Sequence, residues 1–155
     1  MEKKYVSYNE VEEFCKTISE YVEGSKDLRI VAPSRGGLYL GLRMSHILEK
    51  SLSIIDYSLR DYPSEDTKPK IVINKIPDDF EGTILLTDEI LDTGVTANAI
   101  INMLNETYPK ANVVFMVLDV KNEGIEKIKD TKHTLVYNTH LQSEDVWVTY
   151  FWEEK

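Results

Sequence analysis

Apolar residues change their spacing along this chain, and the changes mark out its elements. Val11, Phe14, Cys15, Ile18 and Val22 recur three and four apart. That spacing predicts a helix over 8–22, opened by the capping-box pair Ser7 and Glu10 and stopped near Gly24. A short apolar run at 28–32 predicts a strand, and Pro33, Ser34, Arg35, Gly36 and Gly37 the loop at its end. Helical spacing returns over 38–48, with Leu38, Leu42 and Ser45 expected on the inward face. Residues 52–59 are strand-like through Ile54, Ile55 and Tyr57; 60–69 are polar and broken by Pro63 and Pro69; 70–75 alternate weakly. The run Ile84, Leu85, Leu86 predicts a buried strand entered from a turn at Glu81 and Gly82, and expected to end at Asp88 and Glu89. A helical pattern over 97–106 carries Ile100, Ile101, Met103 and Leu104 and ends before Tyr108 and Pro109. The longest apolar run, 112–118, predicts a strand covered on both faces, and 134–137 and 146–151 predict two more. Strands alternating with helices imply an α/β domain of three layers around a parallel sheet. Ligands bind such sheets beyond the carboxyl ends of the strands.

Composition narrows the partners. A chain of 155 residues is expected to form one domain with a sizeable core. Its formal charge of −9 argues against a nucleic-acid surface. No apolar run approaches the ~20 residues of a membrane span, and no signal-peptide pattern precedes Tyr5, so the cytoplasm is the expected location. Cys15, the one cysteine, falls on an apolar helix face and is expected in the core. It leaves no internal disulfide and no cysteine-rich metal site. His46, His133 and His140 show no metal-ligand spacing.

The chemistry concentrates in 83–96. After the apolar run come two adjacent acids, Asp88 and Glu89, and then a third, Asp92, which opens a loop of Thr93, Gly94, Val95 and Thr96. Loop amides, two hydroxyls and a following helix N-terminus favour an anion, and Gly94 permits close backbone approach. Asp88 and Glu89 would repel a phosphate but suit sugar hydroxyls or magnesium. Ser34, Arg35, Gly36 and Gly37 form a second candidate anion loop at a strand-to-helix junction, with a guanidinium able to fork onto phosphate oxygens.

Two acids, a hydrophobic step, Asp-Thr-Gly, one residue and Thr resemble the phosphoribosyl-pyrophosphate (PRPP) signature of type I phosphoribosyltransferases. The opening residues 2–7, the loop 31–37, the stretch 108–111 and the close 147–153 narrow the likeness to the bacterial xanthine-guanine phosphoribosyltransferases, nearly end to end. The resemblance implies a central parallel sheet, a flexible β-flap at about 60–75 and a small C-terminal hood at about 119–155. It implies transfer of 5-phosphoribosyl from PRPP to a purine, with guanine, xanthine or hypoxanthine favoured. Mg²⁺ would be held by Asp88 and Glu89 directly or through PRPP, and the enzyme would be a homodimer or homotetramer. Ser34, Arg35, Gly36 and Gly37 would be the pyrophosphate loop, with a strained and often cis peptide bond. Asp88 and Glu89 would hold the ribose hydroxyls, and Thr93, Gly94, Val95 and Thr96 the 5′-phosphate. Arg35 and Asp92 would act in catalysis, while Trp147 stacks on the base and Val148 helps read its edge. Trp152 falls outside the stacking position and is expected to pack structurally.

Two positions depart from the family pattern. Val95 stands where Gly, Ala or Lys is usual, and Asp119 where the family has a lysine that meets the purine O6. Lys121 comes two residues later. Extended residues at that spacing point to one side, so Lys121 is expected to take over the lysine's role while pairing with Asp119. Failing that, Asp119 would read an amino-bearing base. A non-catalytic nucleotide sensor on the same fold is the rival reading, and the retained acids and Arg35 oppose it.

Overall fold

The computed structural model describes residues 1–57, 68–128 and 132–155. In chain order the elements are β1 (Glu2–Val6), α1 (Tyr8–Val22), β2 (Leu28–Pro33), α2 (Leu38–Leu48), β3 (Leu52–Asp56), β4 (Lys70–Ile73), β5 (Thr83–Leu91), α3 (Val95–Thr107), β6 (Asn112–Val120), α4 (Asn122–Ile128), β7 (Thr134–His140) and β8 (Val146–Tyr150). A 3₁₀ turn, Phe151–Glu153, follows β8.

The main sheet has the order β4-β3-β2-β5-β6-β7; all its pairings are parallel except β4 with β3. Two apolar layers cover it. Val11, Phe14, Cys15 and Ile18 of α1 and Leu40 and Met44 of α2 cluster with Ile30, Leu85 and Met116. On the other face Ala97, Ile100, Ile101 and Leu104 of α3 cluster with Val31, Leu86 and Phe115. Successive strand residues point to opposite faces, so alternate residues of β2, β5 and β6 feed the two layers. Burial pushes the Cys15 thiol up to about 12, and it sits in the core as expected.

Helix α1 begins where the capping pattern placed it: the Ser7 hydroxyl accepts the Glu10 N–H at 3.2 Å. Helix α2 has the expected bounds but a different phase. Leu40, Gly41 and Met44 are buried, while Leu42 is 51% exposed. Leu42 of the expected stripe is turned away, while Leu38 and Ser45 are half-buried, because Gly41 packs close against the sheet; a Cβ there would stand 2.7 Å from that of Ala32. Strand β5 also outruns its apolar stretch, continuing past the acids to pair Leu91 with Val120. Backbone pairing with β6, rather than side-chain polarity, sets where it ends.

A second, two-stranded sheet pairs β1 with β8 in parallel, from Glu2 opposite Val146 to Val6 opposite Tyr150. Strand β1 is polar and carries no apolar alternation; its partner from the far end of the chain holds it extended. Of the segment expected as a hood, 119–155, β7 belongs to the main sheet, while β8 joins β1 in the small one. Of the expected flap, 60–67 lie outside the described residues, and β4 is the antiparallel edge of the main sheet rather than an arm standing clear of it. The short helix α4 has no counterpart in the sequence reading.

Candidate active site

Strand β2 leads through α2 to β3 on one side, whereas β5 leads through α3 to β6 on the other. The chain therefore reverses direction between β2 and β5, and the loops leaving these strands part to open a crevice at their carboxyl ends. Both candidate anion loops flank it. The Ser34–Arg35 peptide bond is cis. Gly37 is required by the approach of this loop to β5, and Gly36 leaves room for the Asp88 carboxyl. A Cβ on Gly36 would stand 2.7 Å from Asp88 Oδ1, and one on Gly37 would run into the Thr87 carbonyl oxygen. The Thr87 hydroxyl donates to the Gly37 carbonyl at 2.8 Å, tying loop to strand.

A cleft of about 270 Å³ lies there, lined among others by Gly36, Tyr57, Asp88, Glu89, Asp92 and Thr93. Asp88 Oδ1 accepts the Glu89 N–H at 2.8 Å. Burial nevertheless pushes the Asp88 carboxyl up to about 7, with that hydrogen bond opposing. Burial pushes Glu89 up to about 8; the negative charges of Asp88 and Glu153 add to this, while a Trp152 hydrogen bond and Arg35 oppose it. Two desolvated carboxyls side by side are held against their own ionisation, so a cation or a set of hydroxyl donors entering the cleft is favoured.

Gly94, at φ 84°, turns the chain into α3 in a backbone conformation that Val or Thr would enter only under strain. Helix α3 begins at Val95, two residues earlier than the apolar pattern indicated, and places Val95 and Thr96 in its first turn. The Val95 N–H reaches the Thr93 hydroxyl at 3.5 Å. First-turn amides have no partner within the helix, and with the helix dipole they favour an anion.

The other rim is assembled from distant segments. Lys121, only 8% exposed, places its ammonium 3.2 Å from Asp92 Oδ1 and donates to the Glu144 carbonyl at 3.0 Å. The expected Asp119–Lys121 pair is not what forms. Asp119 is buried; its Oδ1 accepts from Lys4 Nζ at 2.5 Å, and its Oδ2 accepts from the Tyr150 hydroxyl at 3.0 Å. Both its oxygens are engaged away from solvent, so it does not present a carboxylate to an amino-bearing base. The cause is β1, which through its pairing with β8 delivers a lysine from the opposite end of the chain. Lys4 also lies 3.6 Å from Glu10 Oε2. Trp147 is 57% exposed, on the face of the small sheet shared with its partner Lys3, and does not line the cleft. Val148 is half-buried against the cluster beneath that sheet.

A family model for the phosphoribosyl transferase domain matches residues 3–150. The chain belongs to that family. This phosphoribosyltransferase is 35% identical over 129 residues to the xanthine-guanine phosphoribosyltransferase of Gluconobacter oxydans (strain 621H), an alignment covering 80% of this chain and 67% of the relative. Its fold is similar to that of the purine phosphoribosyltransferase from Pyrococcus horikoshii Ot3, with a TM-score of 0.68 and 24% identity over 100% of this chain and 96% of the other. The Helicobacter pylori xanthine-guanine-hypoxanthine phosphoribosyltransferase gives a TM-score of 0.65 at 20% identity, over 97% and 92%. The resemblance drawn from the acid pair and its loop is thereby borne out. Among the described residues no helix is long and apolar enough to cross a membrane.

Proposed function

We propose that this phosphoribosyltransferase transfers the 5-phosphoribosyl group of PRPP to a 6-oxopurine, guanine, xanthine or hypoxanthine, releasing pyrophosphate. The observation that carries the choice of base is the Lys121–Asp92 pair, 3.2 Å apart at the edge of the cleft. A 6-oxopurine presents O6 beside N7 on one edge, and adenine replaces that acceptor by an amino donor. A carboxylate facing the imidazole nitrogen with an ammonium next to it matches the oxo edge and meets adenine donor to donor. Lys121 thus takes the part of the family lysine through Asp92 rather than through Asp119.

In the reaction the C1–O bond to pyrophosphate breaks, the electron pair leaves with pyrophosphate, and the purine nitrogen bonds to C1. Asp92 accepts the proton displaced from the imidazole ring and faces the positive charge that builds on the ribose. Asp88 and Glu89 hold the ribose hydroxyls; Thr93, Gly94, Val95 and Thr96 hold the 5′-phosphate; Ser34, Arg35, Gly36 and Gly37 hold the pyrophosphate. Trp147 presents an exposed indole as the stacking surface for a base that extends beyond the cleft lined by Asp88 and Asp92, with Val148 beside it.

Mg²⁺ fits this donor set. Among the described residues no group of three or more His, Cys, Asp or Glu converges on one point, so Asp88 and Glu89 supply at most two carboxylates. An ion that retains waters and takes its other ligands from substrate phosphates is served by such a pair. When bound, Mg²⁺ neutralises charge on the departing pyrophosphate. The enzyme is further proposed to be a cytoplasmic homo-oligomer, dimer or tetramer, as the resemblance implies.

Pyrophosphate release from Mg-PRPP with guanine, xanthine, hypoxanthine and adenine tests the reading. The oxopurines are expected to be used and adenine to be poor. Lys121→Ala should lower kcat/KM for the oxopurines by about 10–100-fold, the scale of one charge-assisted hydrogen bond, with KM for PRPP little changed. Preferred use of adenine, or a Lys121→Ala variant of undiminished activity, overturns it.

A further inference from the structure

A buried tyrosine ring ordinarily brings its hydroxyl to a hydrogen-bond partner. Three tyrosines, Tyr57, Tyr108 and Tyr150, lie more than nine-tenths buried. Tyr108 donates to the Ile76 carbonyl at 3.3 Å, and Tyr150 reaches the Glu89 carbonyl at 2.8 Å and Asp119 Oδ2 at 3.0 Å. Tyr57, at 7% exposure, has no hydrogen-bond partner among the described residues. Its hydroxyl is nevertheless not sealed in. No fully enclosed side-chain oxygen among the described residues is left unsatisfied. The Tyr57 oxygen therefore keeps contact with solvent, and the opening that this residue lines is the cleft.

Tyr57 stands one residue past β3 and two past Ile55, and side chains two apart on a strand leave it on the same face. That face is the one covered by α3: Tyr57 belongs to the cluster that holds Ile55, Leu91 and Ala97. Leu91 ends β5 and Ala97 lies in the first turn of α3, so the two bracket the loop of Asp92 to Thr96. The Ser34 to Gly37 loop leads instead into α2, whose Leu40 and Met44 pack on the opposite face. The phenol is thus held on the α3 side of the cleft, where first-turn amides already favour an anion. An ionised phosphate oxygen accepts hydrogen bonds, and a hydroxyl with no other partner is free to donate one.

We propose that the Tyr57 hydroxyl is a further donor to the 5′-phosphate of the ribosyl substrate, reaching it from the end of β3 while Thr93, Gly94, Val95 and Thr96 hold it from their own loop. The proposal rests on the assignment of that loop to the 5′-phosphate of PRPP. The 5′-phosphate is the same before, during and after transfer, so this bond serves substrate and transition state alike. It lowers KM for PRPP and leaves kcat unmoved.

Tyr57→Phe removes the hydroxyl and keeps the ring. KM for PRPP should rise about tenfold, the scale of one hydrogen bond to a charged group. The values of kcat and KM for the base should stay close to those of the unaltered enzyme, and so should the melting temperature, because no intramolecular hydrogen bond is lost. Thermal-shift titrations then separate the parts of the donor. Ribose 5-phosphate, which carries the 5′-phosphate, should bind Tyr57→Phe about tenfold more weakly, whereas Mg-pyrophosphate should bind it as before. An unchanged KM for PRPP overturns the proposal. So does weaker binding of Mg-pyrophosphate with ribose 5-phosphate unaffected, which would put the hydroxyl at the other loop. A lower melting temperature with both KM values raised together also overturns it, since that is the mark of a structural role. An unaltered protein with neither PRPP-dependent pyrophosphate release nor a thermal shift with Mg-PRPP overturns the donor-site reading and the proposal with it. Normal activity in the unaltered protein beside an indistinguishable Tyr57→Phe overturns the proposal alone.

Discussion

From Asp88 to Thr96 one uninterrupted run carries the acids proposed for the ribose, the carboxylate proposed for the reaction centre and a helix N-terminus. The side proposed for the base is assembled from distant segments, with Lys4 from the first strand, Asp119 and Lys121 from the end of β6, and Trp147 and Tyr150 from the last strand. The two sides meet at Asp92 and Glu89. Asp92 belongs to the local run but takes its partner Lys121 from β6. Glu89 belongs to it too, and its carbonyl accepts from the Tyr150 hydroxyl at the end of β8. One side is thus set by neighbours along the chain, the other by contacts between residues more than 25 positions apart.

The sharpest way to break this division is at Asp92. Asp92→Asn removes the proton acceptor and leaves the phosphate loop in place, so kcat should fall by about 10²–10⁴ with PRPP affinity little altered. Near-normal turnover would take Asp92 out of the reaction. A smaller effect, confined to the base side, is expected at Trp147. Loss of a base–aromatic stack costs about 1–3 kcal/mol, so Trp147→Ala should raise KM for the base roughly 5- to 150-fold and leave KM for PRPP alone. Since the indole is already exposed, little stability should be lost. A fall in melting temperature with an unchanged ratio of KM values would make Trp147 a packing residue instead.

The smallest effect concerns stability in the absence of ligand. Asp88 and Glu89 are raised in the fold to about 7 and about 8, above the ordinary carboxyl values of 3.8 and 4.5. Their neutral forms therefore favour the folded state at low pH, and this stabilisation is lost as pH rises from about 4 through 8. The melting temperature should decline across that interval and level off above it, by about 2–4 °C for each kcal/mol lost. Asp88→Asn and Glu89→Gln should each flatten the decline, and saturating Mg-PRPP should offset it. A flat profile in the unaltered protein would mean that the two acids are better solvated than their burial indicates.

Much of the fold was legible because its signals are local. The Ser7 cap, the period of α1 and the apolar run of β6 depend on neighbours in the chain, and the structure kept them. That Asp88, Glu89, Asp92, Thr93, Gly94 and Thr96 line one cleft was legible for the same reason: acids, Gly94 and a helix start follow one another along one strand and one turn. The failures share a cause as well. The phase of α2 was misjudged because Gly41, which a hydrophobic pattern passes over, is where the helix packs close against the sheet. Strand β1 was missed because its residues are polar, and only its pairing with β8 makes it a strand.

The residues between Asp88 and Thr96 thus pointed to the family that the comparisons show, since spacing along one strand and one turn decides which atoms face the cleft. Which partners Asp119 and Lys121 take was decided only in three dimensions. A carboxylate or an ammonium takes whichever opposite charge or hydrogen-bond partner the fold brings within reach. Asp92 comes within reach of Lys121 because β5 and β6 lie side by side, and Lys4 within reach of Asp119 only after the first strand has paired with the last.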